Sequence, residues 1–217
     1  LSEPQSGSDA SNMKTFAKKN GNNFIVNGTK NWVTSGQNCD LIIFFCKTEK
    51  GAGSKGISAF IIEKGTPGLT TGKKEEKLGI RASDTCELYF DNCVIPASNL
   101  IGSPGQGFSI AMQALGGGRI GISSQSVGLA RSALDKTISY SKEREQFGKI
   151  IAKFGAIQNK IADMATNIEA ARLLVMQAAI LRDQGKEHIK ESSMAKLFAS
   201  STAMSAATEC VQVHGGY

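Results

Sequence analysis

The sequence has few of the residues that most often build a metal site. Its two histidines, His188 and His214, stand far apart in the chain, and its five cysteines form no C-x-x-C pair: Cys39, Cys46, Cys86, Cys93 and Cys210. A structural zinc site needs clustered ligands, so we expect none. An odd number of scattered cysteines predicts reduced, mostly buried thiols in an intracellular protein.

Aromatic residues and long apolar runs are also scarce. The net charge is +6, but the lysines are scattered and aromatics make up only 6% of the chain. A nucleic-acid surface needs a basic stripe with stacking rings, so we expect a solvated basic surface or a site for a phosphorylated small molecule instead. The longest apolar stretch, residues 41–46, is far shorter than the ~18 residues that cross a bilayer. It predicts a buried strand, and we expect no membrane span.

Familiar catalytic motifs are missing as well. The chain has no G-x-S-x-G elbow and no Walker A loop. GGGRIG at 116–121 fits G-x-G-x-x-G, but its surroundings read as helix and the nearest later acid is Asp135, so we reject a dinucleotide fingerprint. Three glycines inside a helix are costly. Either they allow a kink or close helix packing, or a ligand lies on the bare backbone beside Arg119.

Up to about residue 100 the chain has the pattern of β-strands. Short segments rich in β-branched and aromatic residues occupy 24–27, 31–35, 41–47, 57–63 and 87–95, and turn signals separate them at 20–23, 27–30 and 65–68. In the last segment, alternation places Leu88, Phe90 and Asn92 on one face, opposite Tyr89, Asp91 and Cys93. No helix interrupts the series, so we predict antiparallel strands in a barrel or sandwich.

After residue 107 the period changes to that of helices. The pattern predicts one helix from Phe108 to about Glu145 and two further helices with apolar stripes. The first stripe comprises Ile157, Ile161, Met164, Ile168, Ala171, Val175, Ala178 and Leu181, and the second comprises Met194, Leu197, Ser201, Met204, Ala207 and Val211. We therefore predict a β domain over residues 1–104 and a helical-bundle domain over 105–217, an α+β multidomain protein.

Two polar segments are candidate sites. Residues 2–9 carry hydroxyls at Ser2, Ser6 and Ser8 beside Gly7, and such a loop can turn several donors toward one anion or heteroaromatic edge; a plain surface turn is the alternative. Residues 31–36 hold the only tryptophan, Trp32, which on a strand is more often core than ligand platform. Because the chain begins in turn-like sequence, we expect it to be a fragment.

Six segments in order make these weak signals specific. SEPQSGSDA, NGTKNWVTSG, KLGIRASDT, GRIGISSQSVGLAR, KEREQFGK and VQVHGGY together resemble the acyl-CoA dehydrogenase family, above all its short-chain and short-branched-chain members. The resemblance implies a central β domain and the first helices of a C-terminal bundle. It also implies that an N-terminal helical domain and the closing helices are missing, and that the protein is a homotetramer, a dimer of dimers.

The resemblance implies FAD-dependent α,β-dehydrogenation of short-chain acyl-CoA thioesters. A carboxylate removes the α-proton while the β-carbon gives hydride to FAD, and electron-transferring flavoprotein reoxidises the flavin. Such enzymes are intracellular, in the mitochondrial matrix of eukaryotes or the cytoplasm of bacteria. A non-catalytic flavin- or CoA-binding scaffold and an acyl-CoA oxidase are the alternatives.

The resemblance also implies site residues. The flavin ring would contact Leu1, Ser2 and the stretch Trp32, Val33 and Thr34, with Thr34 reaching N5. The remaining FAD residues would be Gly7, Ser8, Arg144, Gln146, Gly155, Gln212, Val213, His214, Gly215 and Gly216. Arg144, Gln146 and 212–216 would reach a neighbouring subunit's cofactor. Substrate would contact Ser8, Gly116, Gly117, Gly118 and Arg119.

Three departures from the family pattern concern glycines. The usual base would lie beyond Tyr217, and the alternative position for a Glu is Gly118, which is not a base, so no catalytic carboxylate is assigned within the chain. Gly116 stands where many members have an acid that contacts CoA. Gly155 stands where many have a glutamine that contacts FAD, which removes a hydrogen bond worth about 0.5–1.5 kcal/mol.

Overall fold

The computed structural model describes all residues from Leu1 to Tyr217. They group into two compact units, Leu1–Met112 and Gln113–Tyr217. The boundary between the units falls inside a long helix, Gly107–Glu143. The change from strand pattern to helix pattern in the sequence is therefore present in the fold, which confirms the predicted order of a β part followed by a helical part.

The first unit is built on one seven-stranded sheet. Its strands are β1 (Phe16–Asn20), β2 (Asn23–Thr34), β3 (Leu41–Lys47), β4 (Ile57–Glu63), β5 (Leu69–Thr71), β6 (Thr85–Pro96) and β7 (Leu100–Ile101). Their order across the sheet is β5-β6-β2-β1-β3-β4-β7. Every neighbouring pair is antiparallel except β1 and β3, which meet in parallel at Phe16 and Lys47. The antiparallel prediction is confirmed with that one exception.

The sheet curls around an aromatic core. Phe44 on β3 and Phe90 on β6 have ring centroids 4.7 Å apart, although two strands separate β3 from β6 in the sheet. In a flat sheet, strands so placed would stand about 14 Å apart, at about 4.8 Å per step. Phe60 on β4 also stacks on Phe44. The sheet therefore bends strongly enough to bring β3 and β6 together around one core, as in the predicted barrel or sandwich, although its edge strands β5 and β7 do not pair.

One predicted turn is wrong. Residues 27–30 do not separate two strands but continue β2. Gly28, which suggested the turn, lies inside this strand with a φ of +146°. A Cβ there would lie 2.4 Å from the Thr15 hydroxyl oxygen. A glycine at this position therefore allows the segment before β1 to approach β2, and β1 itself, rich in lysine, was not predicted.

A β-bulge also overturns the predicted faces of β6. Val26 pairs with Cys93 and Gly28 pairs with Phe90, so β6 has one extra residue in this stretch. Asn92 absorbs it with a φ of +47°, and its backbone N–H donates to the Asn27 side chain at 2.8 Å. Strict alternation fails beyond the bulge. Cys93 therefore lies in the core with Phe90, whereas Asn92 is exposed.

The five cysteines are all free, as predicted. Cys46, Cys86 and Cys93 are buried in the core of the β unit, and burial raises the pKa of the Cys46 thiol to about 12 despite the nearby Lys30 ammonium. These thiols are protonated at neutral pH and are poor nucleophiles. They contribute to the core as small apolar side chains.

The second unit contains most of the long helix α1 (Gly107–Glu143), followed by a short hairpin of β8 (Glu145–Gln146) and β9 (Lys149–Ile150), and then α2 (Gly155–Asp183) and α3 (Ile189–His214). The stripe predicted on α2 is confirmed at its centre, where Met164, Ile168, Ala171, Val175 and Ala178 are buried. They pack against α1 through Ile120 and Leu134 and against α3 through alanines.

The stripe predicted on α3 is wrong. Met194, Leu197, Met204 and Val211 are 47–72% exposed. The face that packs against α2 instead carries small residues, among them Ala195, Ala199 and Ala206. Small side chains let two helix backbones approach closely, so the contact is made without the large apolar residues. The large residues on α3 form a separate face, which we call the α3 apolar face (Met194, Leu197, Met204 and Val211).

Helix α2 is long and apolar enough to cross a membrane by length and composition alone, with a mean hydropathy of 1.2 over its most apolar window. The core helix of a bundle passes the same test. Residues of α2 pack against both α1 and α3 in the second unit. The expected absence of a membrane span stays a prediction.

Candidate functional site

A cleft in the β unit brings together the candidate residues from the two polar segments. A cavity of about 210 Å³ is lined by Leu1 and Ser2 of the opening loop and by residues 30–34 of β2, with Ile42, Ile43, Phe44 and Leu88 as its apolar floor. The backbone N–H of Asn31 donates to the Ser2 carbonyl at 2.9 Å, which joins the loop to the strand. Gly7 and Ser8 are exposed and do not line this cleft.

A second bulge turns Trp32 out of the sheet. Lys30 pairs with Leu88 and Val33 with Cys86, so β2 has one extra residue between them. Trp32 has a φ of +58°, an uncommon conformation for a bulky residue, and is 64% exposed. The interpretation of this tryptophan as a core residue is therefore wrong. Its indole is presented at the cleft, and such strain is often found at binding sites.

The opening loop is fixed to β2 by a buried ion pair. The Lys30 ammonium lies 2.6 Å from a Glu3 carboxylate oxygen, and the two residues are 1% and 4% exposed. The same carboxylate accepts hydrogen bonds from the backbone N–H groups of Lys14 and Thr15. Burial alone would raise the pKa of Glu3, but the bonds and charge of Lys30, with these N–H groups, hold it at about 2.

A second carboxylate fixes the turn that follows Thr34. Asp84, also buried, accepts hydrogen bonds from the Asn38 side chain and the Gln37 backbone, each at 2.9 Å. Its own carbonyl accepts from the Ser35 N–H at 2.9 Å. The bonds from Asn38 and Gln37 lower the pKa of Asp84, so it is ionised at neutral pH. The stretch containing Trp32 and Thr34 is therefore anchored at both ends.

The cleft fits a polar heteroaromatic ligand. Asn31 lines the cavity, and its side-chain oxygen is buried without a hydrogen-bond partner. A buried acceptor without a partner costs about 1–3 kcal/mol, and with less than 1 Å² of accessible surface this oxygen is closed to a ligand in the present side-chain conformation. The cleft is lined by Trp32 with its exposed indole, by the hydroxyl-bearing residues Ser2 and Thr34, and by an apolar floor. A flavin ring has an aromatic face and a polar edge, and these residues can contact both.

A larger cavity in the helical unit, of about 500 Å³, gathers most of the remaining cofactor candidates. It lies between the β8–β9 hairpin and the ends of α1, α2 and α3, and its lining includes Arg144, Gln146, Val213, His214, Gly215 and Gly216. Tyr140 stacks on His214 with ring centroids 4.3 Å apart. Rings beside an arginine suit a ligand with a flat base and phosphates.

Two candidates stand at the edges of this cavity. Gln212 lies in an adjoining groove with Thr208, Val211 and Gly215. Gly155 begins α2 between Phe154 and Ala156, both of which line the cavity, and a Cβ added to Gly155 would meet nothing within 4 Å. Position 155 therefore has room for a side chain, which glycine lacks.

The glycines of α1 differ from one another in their surroundings. A Cβ on Gly117 would lie 2.9 Å from the Arg182 guanidinium, the movable end of a long side chain on α2 that covers this glycine. A Cβ on Gly116 would lie 3.9 Å from the His188 ring, whereas Gly118 faces open space. The helix runs unbroken through all three. Arg182 therefore covers Gly117, whereas Gly118 and the half-buried Arg119 remain available to a ligand.

Comparison with known proteins places the chain in a family. The model of the acyl-CoA dehydrogenase middle domain matches residues 1–93, and that of the acyl-CoA dehydrogenase C-terminal domain matches residues 105–217. The chain therefore belongs to the acyl-CoA dehydrogenase family, whose members are flavin-dependent oxidoreductases. The resemblance inferred from the six segments is confirmed.

Three similar proteins show how much of the family's length is covered. A mitochondrial short-chain specific acyl-CoA dehydrogenase of Rattus norvegicus is 49% identical over 216 residues, which are 100% of this chain and 52% of the relative. Butyryl-CoA dehydrogenase from Megasphaera elsdenii superposes with a TM-score of 0.98 at 48% identity, over 100% of this chain and 57% of that one. A chain in a structure describing the electron transferring flavoprotein of Acidaminococcus fermentans superposes with a TM-score of 0.98 at 50% identity, over 100% of this chain and 57% of that chain. The chain spans about half the length of the relatives it matches.

Sequence reasoning missed the residues that hold the cleft together: Glu3, Lys30, Asn31 and Asp84. One signal was available. Counting by two from Phe24 through Val26 and Gly28 reaches Lys30, so the strand period places this lysine on the buried face. A lysine in that position requires a buried carboxylate as a partner. The glutamate beside Ser2 is the nearest acid to the predicted cleft.

Proposed function

We propose that these residues belong to an enzyme that dehydrogenates short-chain acyl-CoA thioesters between the α- and β-carbons, with FAD as its cofactor. Family membership and similarity to short-chain members along the entire chain support the substrate class. The observation that carries the proposal is the cleft of the β unit, where the exposed Trp32 lies beside Thr34 and the loop of Ser2.

In this cleft, the residues on β2 and the opening loop would hold the flavin ring. FAD bound there would accept the hydride that leaves the β-carbon. Trp32 would cover one face of the ring, and the hydroxyls of Ser2 and Thr34 would bond its polar edge, Thr34 at N5. Leu1 and Val33 would contribute apolar contacts. Because both ends of the Trp32–Thr34 stretch are anchored, the donors would need little reorganisation when the cofactor binds.

The cavity of the helical unit would bind the adenosine portion of FAD from a neighbouring subunit. Arg144 and Gln146 would contact this neighbouring FAD, and residues 212–216 would run along its adenosine. Gly7 and Ser8 would approach the pyrophosphate and the CoA portion from the opening loop. We also propose the division into a flavin-binding β domain over 1–104 and a bundle domain over 105–217.

Substrate would lie along α1 at residues 116–119, where Gly118 exposes the backbone and Arg119 adds a positive charge. Gly116 is buried, and Gly117 lies beneath the Arg182 guanidinium. No side chain of residues 116–119 can take a proton from the α-carbon, since three are glycines and arginine stays protonated. On the family resemblance, we propose that the catalytic carboxylate is the one expected beyond Tyr217. An unaided α-proton is too weakly acidic for a carboxylate, so donors at the thioester carbonyl are also required.

The natural assembly is proposed to be a homotetramer that passes electrons to electron-transferring flavoprotein. The exposed α3 apolar face requires a cover, which another subunit or the closing helices implied by the resemblance would supply. The location would be the mitochondrial matrix or the bacterial cytoplasm, according to the source.

The test is to purify the full-length protein that contains these residues and to titrate it with butyryl-CoA without oxygen. We expect a yellow protein whose flavin absorbance near 450 nm is lost on addition of the substrate. A yellow protein that butyryl-CoA does not bleach would favour a non-catalytic scaffold, which Gly116 and Gly155 motivate. Peroxide release on turnover in air would favour an oxidase. A colourless protein that takes up no FAD would refute the proposal.

A further inference from the structure

The ion pair between Glu3 and Lys30 has a function beyond stabilising the fold. We propose that it is a positioning latch, which fixes the loop wall of the flavin cleft (Leu1 and Ser2) against the strand wall (Trp32 to Thr34). This inference rests on the proposed function, because it assigns the latch to the flavin cleft. Neither Glu3 nor Lys30 was a candidate on sequence grounds.

The location of the pair supports this role. Glu3 directly follows Ser2, and Lys30 precedes Trp32 by two residues, so the 2.6 Å contact joins the two walls next to the residues that would touch the ring. A backbone hydrogen bond from Asn31 to the Ser2 carbonyl lies beside it. Movement of the pair would therefore be transmitted directly to both walls of the cleft.

The bonding of the Glu3 carboxylate makes the latch rigid. Besides Lys30, it accepts from the backbone N–H of Lys14, from that of Thr15 at 3.1 Å and from the Gln5 side chain at 2.7 Å. The Lys30 ammonium also lies 3.9 Å from the Met13 sulfur. The carboxylate therefore holds the opening loop, the segment before β1 and strand β2 at one point.

Stability alone does not account for such a pair. Two charges that are 96% buried or more lose their hydration, and an apolar pair of similar size is often as stabilising or more so. What an apolar pair lacks is direction, since it would leave the Lys14 and Thr15 N–H groups without an acceptor. The buried charges hold the walls of the cleft in one arrangement.

The experiment compares variants of the full-length holoenzyme in FAD affinity and in the visible circular dichroism of bound FAD, which reports the surroundings of the ring. Glu3→Gln keeps the shape but removes the charge, and we expect the FAD Kd to increase at least tenfold with an altered spectrum. Glu3→Asp keeps the charge with a shorter reach, and an intermediate Kd is expected. The control is Glu169→Gln, which breaks the exposed ion pair with Arg172 on α2. We expect this variant to change neither the FAD Kd nor the circular dichroism of bound FAD.

A double variant, E3M/K30M, separates positioning from stability. It removes both charges, so we expect a folded protein whose FAD Kd is still increased at least tenfold, because Lys14 and Thr15 lose their acceptor. Wild-type affinity and spectrum in this variant, or in E3Q, would overturn the latch. Failure of both E3Q and E3D to fold would overturn it too, because the pair would then serve the fold. If the wild-type protein takes up no FAD, the proposed function itself fails.

Discussion

At the scale of single residues, Glu3 is the most strongly perturbed carboxylate in the β unit. Burial works against its charge, but Lys30 and the N–H groups of Lys14 and Thr15 outweigh it and lower its pKa to about 2 from an ordinary value of 4.5. A carboxylate with a depressed pKa stabilises the folded state above its unfolded pKa, and this contribution is lost as the pH falls toward the folded pKa. The relevant window is therefore about pH 4.5 to 2.

We expect the free-energy difference between wild type and E3Q to decrease across that window. At pH 7 the wild type should be the more stable, because only E3Q leaves Lys30 buried without a counter-charge. As Glu3 takes up its proton, the two proteins should converge. Urea unfolding at pH 7, 5, 4 and 3 measures the difference, and E169Q controls for loss of an exposed carboxylate. A constant difference at all four values would contradict the assignment.

Gly155 offers a gain of function. A Cβ there meets nothing within 4 Å, and the neighbouring Phe154 and Ala156 line the cavity proposed for adenosine. We expect Gly155→Gln to lower the FAD Kd two- to tenfold, because one hydrogen bond contributes about 0.5–1.5 kcal/mol. Gly121→Gln on α1, equally unobstructed, controls for helix propensity. Equal FAD affinities for G155Q and wild type in a fluorescence titration would show that position 155 does not contact the cofactor.

At the scale of elements, the sequence predicts strands well where they are apolar. The segments at 41–47 and 57–63 coincide with β3 and β4 because buried strands need β-branched and aromatic residues. β1 was missed because its sequence, FAKKN, places three polar residues at an exposed end. Its position is set by pairing with β2, a contact between distant residues that no local pattern records.

The bulges explain why the site was only partly predictable. Residue types identified the loop of Ser2 and the stretch at Trp32, but strict alternation could not show that Trp32 leaves the sheet or that Cys93 enters the core. Each outcome depends on one extra residue in a ladder, at Trp32 and at Asn92. A shift of one residue changes the face of every side chain beyond it.

Helix α3 shows the same limit for helices. Its most apolar stripe was assigned to the core, but the contact with α2 uses alanines.

We expect Ala199→Leu, at 1% exposure, to destabilise the bundle by about 1–3 kcal/mol through overpacking. Ser200→Leu, the next residue and exposed, adds a similar volume and should have little effect. Urea unfolding of both variants distinguishes these faces, and similar destabilisation by both would contradict the close packing.

At the scale of the whole molecule, the α3 apolar face implies a covering surface, which another subunit or the closing helices implied by the resemblance would supply. Four large apolar side chains on this helix are 47–72% exposed, and soluble proteins rarely leave large apolar patches uncovered. The α2–α3 contact does not need them, since it is made by the opposite, alanine-rich face. A substitution on the α3 apolar face therefore tests which of the two surfaces covers it.

We expect Leu197→Glu in the full-length protein to dissociate the proposed tetramer while helical content is retained. A charge placed in an apolar interface loses hydration without gaining a partner, so association is weakened by several kcal/mol. Analytical ultracentrifugation measures the mass, and far-UV circular dichroism measures the helices. Lys196→Glu, at the adjacent exposed residue, changes the net charge by more than L197E does, and it should leave the mass of the assembly unchanged. A tetramer that survives L197E would place the interface elsewhere, whereas loss of helical signal would show that Leu197 stabilises the bundle itself.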